Sequence, residues 1–475
     1  STISKNSLKA SLLQLECHFT WTLLTEDVGL EALEQTIVDH IEFVKESSIV
    51  DYNILSYVCH LKKSNEEALR NLQKAEEAAQ KYHPDEIARR SLVTWGNYAW
   101  IYYHMERYEE AQTYVSKVEN ICKKLSSTAH WKIQLPEIYA EQGWAFLRFG
   151  RKYFEKAKNC FENALKSEPD NPDFHAGYAI ATYRLEDLAQ RYGGEISQSL
   201  NALKRAVELN PNNTTIMALL ALELQRLKQV NEGERYIEEG LKKTPDLPIF
   251  LRYAANFYRK KGYVDKAVEI LKKALALTPS SVFLHHQLGL CYRDKIFQLK
   301  NRRNTEEEVE NLIQLTIFHF KTVVKKKPVF FYAHGDLAKM YALAKRYEEA
   351  EETFQGVLHR KDLPCGDKQE LYFQYGNFQC FQMNSKSKAI KCYIEGLKIE
   401  DDSCGRNKCR KAAERLLKQK IKSGLGDATD IGMLGLVHKL TGKKQEAIQC
   451  YKKAIVLDPS NEDYQNALCE LQLSI

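Results

Sequence analysis

The sequence predicts an all-α fold, a superhelical array of tetratricopeptide-type helical hairpins with about nine or ten units. Three observations predict it. A skeleton of small and large apolar residues recurs along the 475-residue chain. Its copies follow one another at about 34 residues, the tetratricopeptide period. Several copies end at a proline, whose ring cannot continue the helical hydrogen-bond ladder.

The unit is plainest in LRYAANFYRKKGYVDKAVEILKKALALTPSS, where Ala255 is followed by Ala267, Leu271, Ala274 and Pro279 at intervals of twelve, four, three and five residues. The small residues let two helices cross closely, the large one fills the gap between them, and Pro279 stops the second helix. In chain order, a weak copy surrounds Ala68, and Ala99, Ala111, Val115 and Val118 form the next. Gly143 opens a unit continued by Ala157, Phe161, Ala164 and Pro169, two residues further off than usual. Ala221, Gly233, Ile237, Gly240 and Pro245 precede the unit of Ala255. Gly289, Phe320, Val323 and Pro328 bracket a unit with an insertion at Gln298–Asn311, and Ala338, Ala350, Phe354 and Val357 follow. A weak copy surrounds Ala389, and Gly435, Ala447, Tyr451, Ala454 and Pro459 keep every interval. Each hairpin buries its apolar face only against its neighbours, so the units are expected to stack. The least regular segments, Asp187–Gln198, Gln298–Asn311 and Pro364–Lys368, are candidate joints. Three subdomains are expected: 1–137, a central 138–330 forming most of the binding channel, and 331–475.

A charged fraction of 28% with 44% hydrophobic residues reads as a folded, soluble chain. No apolar run reaches 18 residues, so no membrane span or membrane partner is expected. Ser1–Phe19 lacks the apolar block of a signal peptide. The twelve cysteines form no CxxC pair, and Cys404 and Cys409 have no partner pair at zinc spacing. Reduced, mostly buried thiols in a cytoplasmic protein are expected. There is no P-loop, GxSxG or HExxH motif, so a binding protein is expected and not an enzyme.

In such arrays the first helix of each hairpin lines the concave side. Its groove face lies three residues before, one after and four or five after the first small residue, offsets that fall on one helical stripe. That stripe holds Trp144 and Arg148 around Gly143, Ile180 and Arg184 around Ala179, and Arg252, Asn256 and Arg259 around Ala255, with Tyr253 alongside. Around Gly289 it holds His286 and Arg293 beside Phe283 and Gln287, and around Ala99 it holds Trp100, Tyr103 and His104. Thr36 and His40 sit four apart upstream, and Tyr332 and Lys339 continue the stripe later. Arginine forks match phosphate oxygens and aromatic rings stack on bases, so this composition suits a single-stranded nucleic-acid channel. A groove for an acidic peptide would look similar, and any single arginine could instead pair with a carboxylate or cover apolar surface. Further along, Arg406, Lys408, Arg410, Lys411, Arg415, Lys418, Lys420 and Lys422 are offset by Glu414 alone. A solvated face is the usual reading of such a run, but the scarcity of acids favours a polyanion footprint, for which Lys411, Arg415, Lys418 and Lys422 are the candidates. The net charge of +6 agrees with an anionic partner.

With these residues laid out, the chain resembles the interferon-induced proteins with tetratricopeptide repeats, end to end. The strings that carry the resemblance are CHFTW (Cys17–Trp21), SLVTWGNYAW (Ser91–Trp100), YYHM (Tyr102–Met105), ICKKLSS (Ile121–Ser127), GYAI (Gly177–Ile180), RYAANFYRKK (Arg252–Lys261), LHHQLGLCYR (Leu284–Arg293) and the ending CELQLSI. The resemblance implies innate antiviral binding of single-stranded RNA by its 5′-triphosphate, in the cytoplasm, with other members of the family as further partners. It implies a triphosphate pocket of Thr36, His40, Arg148 and Arg184. The strand would follow Arg252, Tyr253, Arg259, Phe283, His286 and Gln287, with Trp144, Phe154 and Ile180 lining it and Phe330 and Tyr332 near its exit. The sequence departs from the family pattern where glutamine is usual at His40, lysine at Arg148 and tyrosine at Phe154. Thr215 stands where cap-binding relatives carry an aromatic, which weighs against cap binding. No cofactor is expected. An ion beside the phosphates stays open, with Glu31 or Glu34 as the carboxylate that could hold one.

Overall fold

The computed structural model describes residues 4–23, 29–44, 48–125, 135–191, 198–300, 302–303 and 305–474. Every regular element among the described residues is helical, and none is a strand. Contacts divide the chain into two units, Ser1–Gln298 and Leu299–Ile475. The boundary expected at 137/138 falls in the first turn of the Pro136–Phe149 helix, and that at 330/331 falls at the N-cap of the Phe331–Leu343 helix.

The first unit holds six helical hairpins: Ile49–Leu61 with Asn65–Tyr82, Leu92–His104 with Tyr108–Leu125, Pro136–Phe149 with Phe154–Ser167, Pro172–Arg191 with Gln198–Leu209, Thr214–Arg226 with Val230–Lys243, and Pro248–Lys261 with Val264–Leu277. The second unit holds Phe331–Leu343 with Tyr347–Leu358, Cys365–Phe381 with Lys386–Lys398, and Ala428–Leu440 with Lys444–Leu457. The tetratricopeptide skeleton is therefore the architecture, at the expected number of repeats. Among the described residues, seven α-helices stand outside these hairpins: Lys5–Leu12, Leu30–Val44, Ile87–Arg90, Val282–Leu299, Glu306–Lys326, Cys404–Lys422 and Glu462–Leu473.

Several of the small residues are small because a ring occupies their space. Phe161 is fully buried, and a Cβ on Gly143 would lie 2.8 Å from its ring, while one on Gly177 of the next hairpin would lie 2.2 Å away. The same relation holds between Gly240 and Phe250, at 2.4 Å, and between Gly376 and Tyr393, at 2.3 Å. One ring thus locks the two helices of a hairpin, or one hairpin to the next. The turns inside hairpins repeat a device of their own. Gly262 adopts φ +91°, and the following amide of Tyr263 reaches back to the Tyr258 carbonyl at 2.9 Å, closing the first helix.

Of the expected insertion at Gln298–Asn311, residues 298–299 and 306–311 are helical, and 301 and 304 lie outside the described residues. Its length is taken up by extending the flanking helices, Val282–Leu299 and Glu306–Lys326, to 18 and 21 residues. Pro364 caps the Cys365–Phe381 helix, and of Asp187–Gln198 the stretch 192–197 lies outside the described residues.

Gly177→Ala should overpack a site whose ring has nowhere to go, at a cost of about 1–3 kcal/mol. A thermal melt is expected to show the first unit unfolding several degrees lower with helical content intact. An unchanged melt would mean that Phe161 does not lock the two hairpins.

Candidate nucleic-acid interface

Six helices of the first unit bring the groove residues together, and the arrangement starts from a helix cap. Ser48 caps the Ile49–Leu61 helix, its hydroxyl accepting a hydrogen bond from the Asp51 amide at 3.2 Å. Asp51 therefore stands in the first turn, where unsatisfied amides favour a carboxylate. Its side chain is 5% exposed and bridges two partners. One oxygen accepts from His40 Nδ1 at 3.0 Å and the other from the Arg148 guanidinium at 3.4 Å. Burial by itself would raise the Asp51 pKa. The His40 hydrogen bond and the Arg148 charge outweigh it and hold the carboxyl down at about 2. His40 shifts downward as well, because burial and the Arg148 charge prevail over the attraction of Asp51. At neutral pH the pair is thus a carboxylate beside a neutral imidazole. A carboxylate only accepts, so the imidazole proton resides on Nδ1 and Nε2 keeps its lone pair.

Arg148 extends from the last turn of the Pro136–Phe149 helix, which stops at Gly150, a residue with φ +113° that suits glycine. Arg184, midway along Pro172–Arg191, donates to the Leu147 carbonyl at 3.2 Å, one of the last-turn carbonyls that the helix cannot satisfy itself. Its guanidinium lies 5.8 Å from the centroid of the Phe154 ring. Burial, and then the like charges of Arg148 and Arg252, push its pKa down to about 10, so it stays protonated at pH 7. Arg252 stacks on three rings, 4.2 Å from Phe283, 5.1 Å from Tyr253 and 5.9 Å from Phe43. Phe43 meets Phe283 edge-on at 6.1 Å. Arg148 and His40 thus share the Asp51 carboxylate, while the charges that act foremost on Arg184 are those of Arg148 and Arg252. The cluster is short of negative charge.

The other expected residues divide. Thr36 lies exposed on the same helix as His40. Trp144 and Ile180 are half-buried against the core of the unit, the indole edge-on to Phe161 at 5.2 Å. Arg259 pairs with Asp294 at 2.8 Å and reaches Asn256 at 3.3 Å, so its charge is already met. His286 is buried and Gln287 half-buried. Phe330 is half-buried and Tyr332 is 59% exposed, and both belong to the second unit. Glu34 is ion-paired with Lys62. Among the described residues, no group of three His, Cys, Asp or Glu stands together as a metal site.

Three participants escaped the sequence reading: Asp51, Phe43 and the Leu147 carbonyl. Asp51 stands on a first helix whose copy of the skeleton is weak, a backbone carbonyl such as that of Leu147 carries no residue-type signal, and Phe43 stands on the Leu30–Val44 helix, outside the skeleton. A signal existed in Ser48 and Asp51, whose spacing marks a helix start.

In the second unit the basic helix Cys404–Lys422 is largely spoken for. Arg406 donates to the carbonyls of Leu397, Ile399 and Leu440. Lys408 pairs with Glu370 and Lys420 with Asp430. Glu414 collects Lys443 at 3.1 Å and Arg410 and Lys418 at 3.5 Å each. Burial raises its pKa, and these cations bring it below the usual carboxylate value. Lys411, Arg415 and Lys422 point from exposed positions without an ion pair among the described residues.

Tetratricopeptide repeat models match residues 92–124, 141–190, 254–282 and 431–461. The human antiviral innate immune response effector IFIT1 is 45% identical over 470 residues, 98% of each chain. Human interferon-induced protein with tetratricopeptide repeats 2 is 40% identical over 453 residues, 94% of each chain. The solved human IFIT1 dimer with PPP-AAAA is 46% identical, with a TM-score of 0.76 over 96% of this chain and 100% of that one.

A cluster short of negative charge is held against its own repulsion. Replacing Arg184 by a neutral residue of similar length, Arg184→Met, is expected to leave the RNA-free protein melting at the same temperature or higher, because lost repulsion offsets the lost bond to Leu147. A melting temperature several degrees lower would show that the guanidinium is a net structural brace.

Proposed function

The chain belongs to the family of interferon-induced proteins with tetratricopeptide repeats, and on that premise we propose that it captures the 5′-triphosphate end of single-stranded RNA and performs no chemistry on it. The observation that carries this reading is the charge excess around Arg184, on which, besides burial, the like charges of Arg148 and Arg252 act. A 5′-triphosphate supplies what the cluster lacks, several negative charges on closely spaced oxygens that guanidinium forks can grip. Arg148 and Arg184, with Thr36 and His40, hold the phosphates. Arg252 with Phe283 and Tyr253 offers ring faces and charge to the first nucleotides, a contact that tolerates any base. Half-buried Trp144, Phe154, Ile180 and Gln287 shape the wall, with Arg259 and His286 behind it. Human IFIT1, solved as a dimer with PPP-AAAA, supports the choice of ligand. Action in the cytoplasm and association with other members of the family belong to the same reading.

The test is one RNA oligomer carrying a 5′-triphosphate, a 5′-hydroxyl or a 5′-cap. The triphosphate form should bind tightest. Arg184→Ala should weaken it by about tenfold or more, since a charge-assisted contact of this kind contributes roughly 1.5–3 kcal/mol. Equal binding of all three ends, or a preference for acidic peptides over RNA, would move the function to a protein-binding scaffold.

Lys411, Arg415, Lys418 and Lys422 add attraction that does not depend on the RNA end. Substituting all four should weaken long RNAs more than short ones and flatten the dependence of affinity on salt, since fewer counterions are released. The preference for triphosphate over hydroxyl should survive. An unchanged salt slope would leave this helix as a solvated surface.

A further inference from the structure

We propose that His40 takes up a proton when the 5′-triphosphate binds, so that an Asp51–imidazolium–phosphate chain grips the RNA end more tightly as the pH falls. The inference rests on the triphosphate reading above and adds to it a proton and a pH dependence.

The geometry assigns the roles. Asp51 is a buried carboxylate, and it fixes the His40 proton on Nδ1 through the 3.0 Å hydrogen bond. The neutral ring therefore has only an acceptor, Nε2, to offer a ligand. An acceptor beside a phosphate oxygen is repelled. The protonated ring instead donates at both ends, to Asp51 and to phosphate. With 27% of its side chain exposed, the ring is not sealed from a ligand.

The charges around the ring decide when it titrates. Asp51 faces it from the Ile49–Leu61 helix, Arg148 from Pro136–Phe149 and Arg252 from Pro248–Lys261. On its own helix Thr36 stands one turn away, and neighbouring Asp39 is bonded to Gln35 at 3.0 Å. In the free protein, burial and the two arginines keep His40 below its ordinary pKa of 6.5 and hence neutral at pH 7. A bound triphosphate neutralises those arginines and places negative charge beside the ring, so the pKa rises. A group whose pKa is higher in the complex than in the free protein takes up a proton on binding between the two values. Affinity then climbs as pH falls through that window, by up to about tenfold per pH unit. In this chain the end of the RNA is read partly by a group that must first be charged.

The experiment is calorimetry of triphosphate RNA binding at pH 7 in two buffers of different ionisation enthalpy, with affinities measured from pH 6 to 8. The triphosphate loses its own residual proton on binding, and comparison with His40→Gln cancels that contribution. The wild-type protein is expected to take up as much as one proton more per RNA than His40→Gln, and to gain affinity towards pH 6 where the variant stays flat or weakens. Asp51→Asn removes the anion that stabilises the imidazolium, so the rise in affinity should move to lower pH while binding persists. Equal proton counts for wild type and His40→Gln, with both binding triphosphate RNA, overturn the inference and leave the triphosphate reading standing. Failure of the wild-type protein to prefer triphosphate over hydroxyl ends at any pH removes both.

Discussion

Every hairpin in this chain is half of a core, and the fold depends on a neighbour supplying the other half. In several hairpins the contact that enforces this is a ring seated over a glycine. Phe161 meets Gly143 on its own hairpin and Gly177 on the next, and Phe250 meets Gly240. Because each seat leaves no room for a Cβ, adjoining helices pack at close range. Arg148, Arg184 and Arg252 stand on the first helices of successive or nearby hairpins, so the same packing that buries the rings brings three like charges into mutual influence.

Such a cluster has a cost that folding does not recover within the free chain. Guanidinium groups pushed together and partly buried lose hydration and gain repulsion. The structure limits the loss in specific ways. Asp51 meets Arg148, the Leu147 carbonyl meets Arg184, and three rings cover Arg252. What is left over is a site whose electrostatics favour an anion before any arrives, the preorganised condition that binding charged ligands rewards.

The second unit shows that a basic run in sequence is not a map of available charge. Arg406 braces three carbonyls, and Glu414 gathers Lys443, Arg410 and Lys418 around one carboxylate. The exposed remainder is Lys411, Arg415 and Lys422, with Lys418 exposed but shared. The same test separates Arg184 from Arg259 in the first unit. Both lie on one stripe, but Asp294 neutralises Arg259 while the charges that act foremost on Arg184 are those of Arg148 and Arg252.

The sequence by itself determined the repeat, because tetratricopeptide packing is local: a small residue, its large partner and the closing proline lie within about 34 residues of one another. It also determined which positions share one helical stripe, since helical periodicity carries that information without tertiary knowledge. Only the tertiary structure decided which charges are compensated. Asp51 reaches Arg148 across 97 residues, and Glu42 on the Leu30–Val44 helix bonds Ser280 across 238. The Glu42 contact arises from a helix outside the repeat, and the Asp51 contact joins the first helices of two hairpins that are not consecutive, pairings that no spacing rule specifies. Partnership between charges is a property of distance in space, and in this chain the deciding partners are far apart in sequence.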